Sequence, residues 1–189
     1  MSTPRSFVCG VALSLSLLSA LSAHAQRVKL ATSAGDIVIE LDAAKAPKSV
    51  ENFIGYVKAG HYDGTVFHRV ISNFMIQGGG MTADMKEKTT RAPIALESRN
   101  GLNNDKGTVA MARTNAPNSA TAQFFINLKD NEFLNSAASR DGNGYAVFGK
   151  VVSGMDVVEK IRNVPTGNKG PFENVPLEPV TIKQATVEK

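Results

Sequence analysis

Eight short stretches rich in β-branched and aromatic residues, each bounded by turn-forming residues, constrain the fold of this chain most strongly. The first two form a hairpin pattern: Val28, Leu30 and Thr32 alternate with polar or small neighbours, and residues 37–41 follow after the turn sequence at 33–36. The other six span residues 65–71, 74–77, 107–112, 124–128, 146–152 and 180–186. A chain with so many short strands has to bury its apolar residues on or inside sheets.

Only two segments have the spacing of an amphipathic helix. The first begins with Pro47, continues with apolar residues at positions 50, 53, 54 and 57, and has Gly60 beyond its end. The second follows Gly154, with apolar residues at positions 155, 158 and 161. Eight strands with two helices favour one domain built as a closed antiparallel barrel or a sandwich, with the helices covering open ends or faces. Periodicity alone does not distinguish the two.

The first 25 residues have the pattern of a secretory signal peptide. Arg5 provides the positive start, residues 7–21 form an apolar run, and Ala23, His24 and Ala25 form a small-residue cleavage site. The run is shorter than the roughly 20 residues that span a bilayer, although an uncleaved anchor is the alternative. We therefore predict a signal peptide at 1–25, a single domain at 26–189 and no membrane span after cleavage.

Composition excludes several classes of site. Cys9 is the only cysteine and is lost with the signal peptide, which leaves no disulfide and no cysteine ligand or nucleophile. His61 and His68 have no metal-binding spacing, and no GxSxG motif is present. The glycines at 78–80 lack a phosphate-loop lysine and are interpreted as a flexible turn. The charges that give the net charge of +4 are scattered along the chain. We predict no metal, no cofactor and no nucleic-acid partner.

One arginine occupies an unusual place on a strand. Alternation puts Arg69 on the same strand face as Phe67 and Ile71, with His68 and Val70 on the other face. The strand pattern alone favours a structural arginine, either in a buried ion pair or with its stem packed and its head in water. It likewise favours a structural role for His68.

Four blocks of sequence around and after Arg69 carry a family resemblance. FHRVISNFMIQGGG, GTVAMART, SATAQFFINL and YAVFGKVVSGMDVVEKI resemble the cyclophilins in order and spacing, and secreted bacterial cyclophilins most of all. The resemblance covers nearly all of the chain after the signal peptide. It implies a mainly β fold, a closed eight-stranded antiparallel barrel capped by two α-helices, with a substrate groove on its outer surface.

The resemblance also implies the site residues. Arg69, Gln77 and Phe125 match catalytic positions, with Phe125 on the floor of the proline pocket. The matching substrate-binding positions are Phe74, Met75, Ala112, Arg113, Gln123, Phe133, Leu134 and Tyr145.

Three of these positions depart from the commonest family pattern. Phe133 replaces the usual tryptophan, which argues against tight inhibition by cyclosporin, and Tyr145 replaces the usual histidine. Arg113 stands where asparagine is frequent. Because the backbone serves for peptide binding at that position, we expect the Arg113 side chain to be less constrained.

The implied function is that of a peptidyl-prolyl cis/trans isomerase without a cofactor. Its expected partners are proline-containing unfolded or flexible polypeptides, and the signal peptide together with the resemblance predicts a periplasmic monomer that assists the folding of exported proteins. Two alternatives remain open at this point. One is a peptide-binding chaperone module that uses the same groove without catalysis, and the other is a structural barrel domain that contacts a partner protein.

Overall fold

The computed structural model describes residues 26–188. The predicted signal peptide at 1–25 lies outside these residues. No helix within 26–188 is long and apolar enough to cross a membrane.

A large antiparallel sheet dominates the fold. Its eight strands are β1 (Arg27–Thr32), β2 (Gly35–Leu41), β4 (Arg69–Ile71), β5 (Met75–Gly78), β7 (Thr108–Met111), β8 (Phe124–Asn127), β9 (Val147–Ser153) and β12 (Ile182–Glu188). Two small sheets pair β3 (Thr65–Val66) with β6 (Met81–Thr82) and β10 (Thr166–Lys169) with β11 (Phe172–Pro176). The helices are α1 (Pro47–Lys58), α2 (Met155–Arg162) and a 3-10 turn at Glu132–Leu134.

The large sheet is open, so the prediction of a closed barrel is wrong. Its strand order is β12-β1-β2-β9-β7-β8-β5-β4, and it curls through 217° as a half-barrel. The chain around β3 contacts the start of β12, where Gly64 N–H donates to Ile182 O at 2.8 Å and Phe67 N–H to Val180 O at 2.9 Å. These bonds do not continue into β4, against which the β10–β11 hairpin packs.

All eight predicted strands and both predicted helices are present, with local differences. The predicted strand at 65–71 is divided, because residues 67 and 68 leave the ladder between β3 and β4. The hairpin of β10 and β11 is not predicted, since its first strand, TGNK, has no apolar alternation.

The main hydrophobic core lies on one face of the large sheet, together with both helices. Phe53 of α1 lies at its centre, with ring centroids 5.1 Å from Tyr62, 5.4 Å from Phe124 and 5.0 Å from Phe148. A second, smaller buried cluster is separate from this core and includes Phe125. Neighbouring residues on a strand point to opposite faces, so Phe124 fills the main core and Phe125 the second cluster.

Candidate active site

A row of paired residues crosses four strands on the face that carries the second cluster. Arg69 of β4 pairs with Gln77 of β5, Gln77 pairs with Phe125 of β8, and Phe125 pairs with Ala110 of β7. Directly paired residues project from the same side of a sheet. The sheet register therefore brings the three predicted catalytic residues side by side.

The second cluster forms an apolar floor beside this row. Its buried members are Met75, Ala110, Phe125, Leu134 and Val147, and the partly buried residues against them are Ile71, Phe74, Leu102, Ala112 and Tyr145. Six of the predicted site residues are among these ten. We call the surface formed by this cluster and the Arg69–Gln77–Phe125 row the groove.

Arg69 stands at the edge of the groove and is half-buried. Its guanidinium forms no ion pair and no hydrogen bond with any residue in 26–188. Of the two structural roles that the strand pattern left open, the buried ion pair is therefore not formed among the described residues. A charged fork of hydrogen-bond donors beside an apolar floor can serve a bound peptide.

Two glutamines connect the row to the neighbouring loop. Gln77 Nε2 donates to Gln123 Oε1 at 2.8 Å, and Gln123 O accepts from Ala112 N–H at 2.9 Å. The loop that begins at Gly80 passes so close that a Cβ at Gly80 would lie 2.5 Å from Gln123 Cγ. The predicted flexible turn at 78–80 is thus closely packed, because side chains of the core and of the groove occupy the space beside each glycine.

His68, assigned a structural role from the sequence, lies buried beside the groove. Burial lowers its pKa to about 4, and the charge of Arg69 acts in the same direction. Hydrogen bonds to the Val66 backbone and the Gln123 side chain oppose the shift of this pKa. His68 is therefore a neutral neighbour of Arg69 and Gln123 at pH 7.

The rim of the groove carries two stacked aromatic rings. Phe133 on the 3-10 turn is 54% exposed, and its ring centroid lies 5.5 Å from that of Phe74. Buried Asn131 holds this turn in place, since its Nδ2 donates to Phe74 O at 3.0 Å and to Asn127 Oδ1 at 2.8 Å. No sequence pattern indicates a role for these asparagines, because asparagine is more often found in exposed turns.

Tyr145 packs edge-on against Phe125 with centroids 5.7 Å apart. The Arg113 guanidinium lies over the Tyr145 ring, 4.6 Å from its centroid. The side chain of Arg113 is only 3% exposed. The expectation of a less constrained Arg113 side chain is wrong, because ring stacking and hydrogen bonds hold it.

A concavity of about 840 Å³ lies beside the groove and shares Leu102 and Val147 with it. Its remaining lining includes Glu40, Asp42 and Lys150 but none of the predicted site residues. The two concave surfaces differ in their lining, because the groove has a cationic donor, Arg69, next to a buried aromatic floor, whereas no aromatic residue lines the concavity. In residues 26–188, no three His, Cys, Asp or Glu side chains cluster as metal ligands would.

Comparisons with known proteins agree on one family. The family model described as cyclophilin type peptidyl-prolyl cis-trans isomerase matches residues 27–187. The peptidyl-prolyl cis-trans isomerase cyp18 of Streptomyces antibioticus is 62% identical over 85% of this chain and 97% of its own length. The peptidyl-prolyl cis-trans isomerase B of Escherichia coli is 56% identical over 84% of this chain and 97% of its own length.

Solved structures show the same fold. A cyclophilin type peptidyl-prolyl cis-trans isomerase of Cryptosporidium parvum superposes with a TM-score of 0.72 at 27% identity, covering 88% of this chain and 99% of its own. A second crystal structure of that protein, obtained in the presence of the dipeptide Ala-Pro, gives a TM-score of 0.71 at 28% identity. It covers 87% of this chain and 99% of its own.

Proposed function

This chain belongs to the cyclophilin-type peptidyl-prolyl cis-trans isomerases and is an enzyme of that kind, and from this premise we propose that the groove is its active site. Arg69, Gln77 and Phe125 are proposed as the catalytic residues. The observation that carries the proposal is the row across β4, β5 and β8, in which Arg69, without an ion pair among residues 26–188, stands beside a buried aromatic floor.

The reaction is rotation about a bond that conjugation holds planar. The nitrogen of an X-Pro bond shares its lone pair with the carbonyl, which gives a barrier of about 18 to 20 kcal/mol and roughly tens to hundreds of seconds for uncatalysed exchange. In the twisted transition state this conjugation is lost, and the prolyl nitrogen becomes pyramidal and able to accept a hydrogen bond. A donor directed at that nitrogen binds the transition state more strongly than the planar substrate.

Arg69 is suited to be that donor. Its guanidinium stays protonated at every relevant pH and offers several N–H groups in a fixed plane, so that one serves the nitrogen while another holds a neighbouring substrate carbonyl. Gln77 occupies the adjacent position in the row and is oriented by its hydrogen bond to Gln123. Both amides can orient the bound peptide without adding a charge.

The apolar floor holds the proline ring while the preceding carbonyl turns. Phe125 lies beneath the ring, and the other substrate-binding residues that we propose line the groove or support its walls: Phe74, Met75, Ala112, Arg113, Gln123, Phe133, Leu134 and Tyr145. Lowering the barrier by about 7 kcal/mol accelerates exchange about 10^5-fold, which positioning and electrostatic stabilisation together can supply. Rotation about the bond transfers no proton, so no general base is needed.

Replacing either of two adjacent phenylalanines tests where the pocket lies. In Phe125→Ala, we expect kcat/KM to fall at least about 100-fold while circular dichroism still reports a folded protein, because Phe125 belongs to the second cluster. Phe124→Ala is the matched control on the opposite face, and we expect it to cost about 3 to 5 kcal/mol of stability. An unfolded Phe125→Ala protein, or one with normal activity, would refute the pocket assignment.

We further propose that the substrates are proline-containing segments of exported, unfolded or flexible proteins, and that the enzyme assists their folding in the periplasm as a monomer. The support is the signal-peptide pattern of residues 1–25. Cell fractionation followed by N-terminal sequencing should find a periplasmic chain that begins at Gln26, and light scattering should give the mass of one chain. A chain retained in the cytoplasm with Met1 in place would contradict the location.

A further inference from the structure

Arg113 holds a charge in a place where side chains are normally apolar. It follows Ala112 at the wall of the groove, and its side chain is 3% exposed. Nε donates to Gly144 O at 2.8 Å, and Nη1 donates to Thr114 O at 2.9 Å. Burial of a cation is unfavourable unless its charge and its donors are satisfied, so these contacts identify a built arrangement rather than a side chain trapped by chance.

The charge of Arg113 is balanced by Asp141 across the groove wall. The two side chains form an ion pair through Nη2, and Asp141 Oδ1 also accepts the N–H groups of Asn143 at 2.9 Å and Gly144 at 3.2 Å. The hydrogen bond from Asn143, together with that from Arg113, holds the pKa of Asp141 well below its usual range. Arg113 thereby ties the segment before Tyr145 to the end of β7.

Tyr145 lies between this arginine and the floor of the groove. The Arg113 guanidinium lies over its ring, 4.6 Å from the centroid, and the ring packs at 80° against Phe125. Its backbone is fixed as well, since Tyr145 N–H donates to Leu134 O at 2.9 Å. The position of the Tyr145 ring relative to Phe125 therefore depends on the guanidinium.

We infer that Arg113 is a positioning residue that holds Tyr145 against Phe125 and so fixes one wall of the proline pocket. The inference rests on the proposed function, because it takes Phe125 as the pocket floor. Arg113 acts through Tyr145 and does not touch the rotating bond, so its loss should weaken binding of the proline ring more than it slows rotation. A Tyr145 ring without its cation partner samples additional rotamers, and each bound peptide then has to order it.

The first test separates binding from rotation. In Arg113→Met, we expect Kd for a short Ala-Pro peptide to rise about 10-fold, with kcat within about 2-fold of wild type. Arg113→Lys keeps the charge but not the planar fork, and it should recover part of the affinity. Arg140→Met is the matched control, because Arg140 is exposed and precedes Asp141 in the same loop, and it should bind like wild type.

A double-mutant cycle with Tyr145→Ala then tests the route of the effect. If Arg113 acts through Tyr145, Arg113→Met should add less than about 2-fold to Kd in the Tyr145→Ala background. A full 10-fold effect in that background, or no effect of Arg113→Met on Kd in the wild-type background, overturns the inference. Peptide binding by wild type distinguishes failure of the Arg113 inference from failure of the proposed function. If the inference alone fails, wild type still binds the peptide at Phe125, whereas a wild type that does not bind it contradicts the proposed pocket.

Discussion

Two arginines border the groove, and their surroundings give them different roles. Arg113 is paired with Asp141 and is almost fully buried, so its charge is balanced within the protein. Arg69 is half-buried and has no ion-pair partner among residues 26–188. At the scale of single residues, this difference in pairing is why we assign Arg69 to the substrate and Arg113 to the pocket wall.

Gly80 is predicted to be required for the position of Gln123. A methyl group at residue 80 would lie 2.5 Å from Gln123 Cγ and would displace that side chain from its hydrogen bond with Gln77. We expect Gly80→Ala to lower kcat/KM at least about 10-fold with little loss of stability, because only a half-buried side chain has to move. Gly167→Ala, in the β10–β11 hairpin, is the control in steady-state assays, and equal activity of the two variants would refute the role of Gly80.

Buried His68 predicts a specific loss of stability in acid. Its pKa is about 4 in the folded protein and 6.5 ordinarily, so between these values the unfolded chain binds the proton more readily. The free energy of unfolding should therefore fall as pH drops from 6.5 towards 4, by about 3 kcal/mol from this residue. Urea unfolding of His68→Gln should lack this part of the acid sensitivity, and an identical pH dependence in both proteins would contradict the prediction.

Some of these residue-level features can be read from sequence and others cannot. The alternation of a strand predicts that Phe124 and Phe125 face opposite sides, and their placement in two separate clusters agrees. The burial of Arg113 could not be predicted, because it depends on Asp141 and Tyr145, which lie about 30 positions away in the chain. Local patterns carry no information about such contacts.

At the scale of elements, helix α1 obtains its N-terminal cap from a distant loop. Ala46 at the cap position has no capping side chain, and Glu97 instead accepts the backbone N–H groups of Lys48 at 3.0 Å and Ser49 at 2.8 Å. A carboxylate at this end also interacts favourably with the helix dipole.

We predict that Glu97→Ala destabilises the protein by about 1 to 2 kcal/mol in urea unfolding and leaves isomerase activity within about 2-fold of wild type. The expected loss of stability is that of a missing helix cap. Activity should change little, because α1 packs on the face opposite to the groove. Glu51→Ala on the exposed side of the same helix is the control and should change stability by less than about 0.5 kcal/mol. Equal stability of the two variants would show that Glu97 is not the cap.

Most helices and strands can be predicted from local sequence patterns, whereas the contacts that they make with distant residues cannot. The spacing of Val50, Phe53 and Val57 predicts α1 because a helix repeats every 3.6 residues, and those residues are buried as expected. The cap from Glu97 and the β10–β11 hairpin were missed, since one needs a contact over 48 residues and the other has no apolar alternation.

At the scale of the whole molecule, the two faces of the large sheet carry different parts of the protein. The main core and both helices lie on one face, and the groove lies on the other. The family resemblance implies a closed barrel, but the number of strands does not determine whether the first and last edges pair. Here β4 has only three residues, and the chain around β3 contacts the start of β12 through the two hydrogen bonds from Gly64 and Phe67. Changes within the groove should therefore alter activity before they alter the fold.

The most direct test of the central claim is the rate of X-Pro exchange in a short Ala-Pro peptide, measured by NMR with wild type, Arg69→Ala and Arg69→Lys. Removing a donor that acts only in the transition state should lower kcat about 100- to 1000-fold in Arg69→Ala, while the peptide still binds and the protein stays folded. We expect Arg69→Lys to fall between the two. Equal exchange rates for wild type and Arg69→Ala at equal occupancy would contradict the assignment of Arg69 and leave the groove as a peptide-binding surface only.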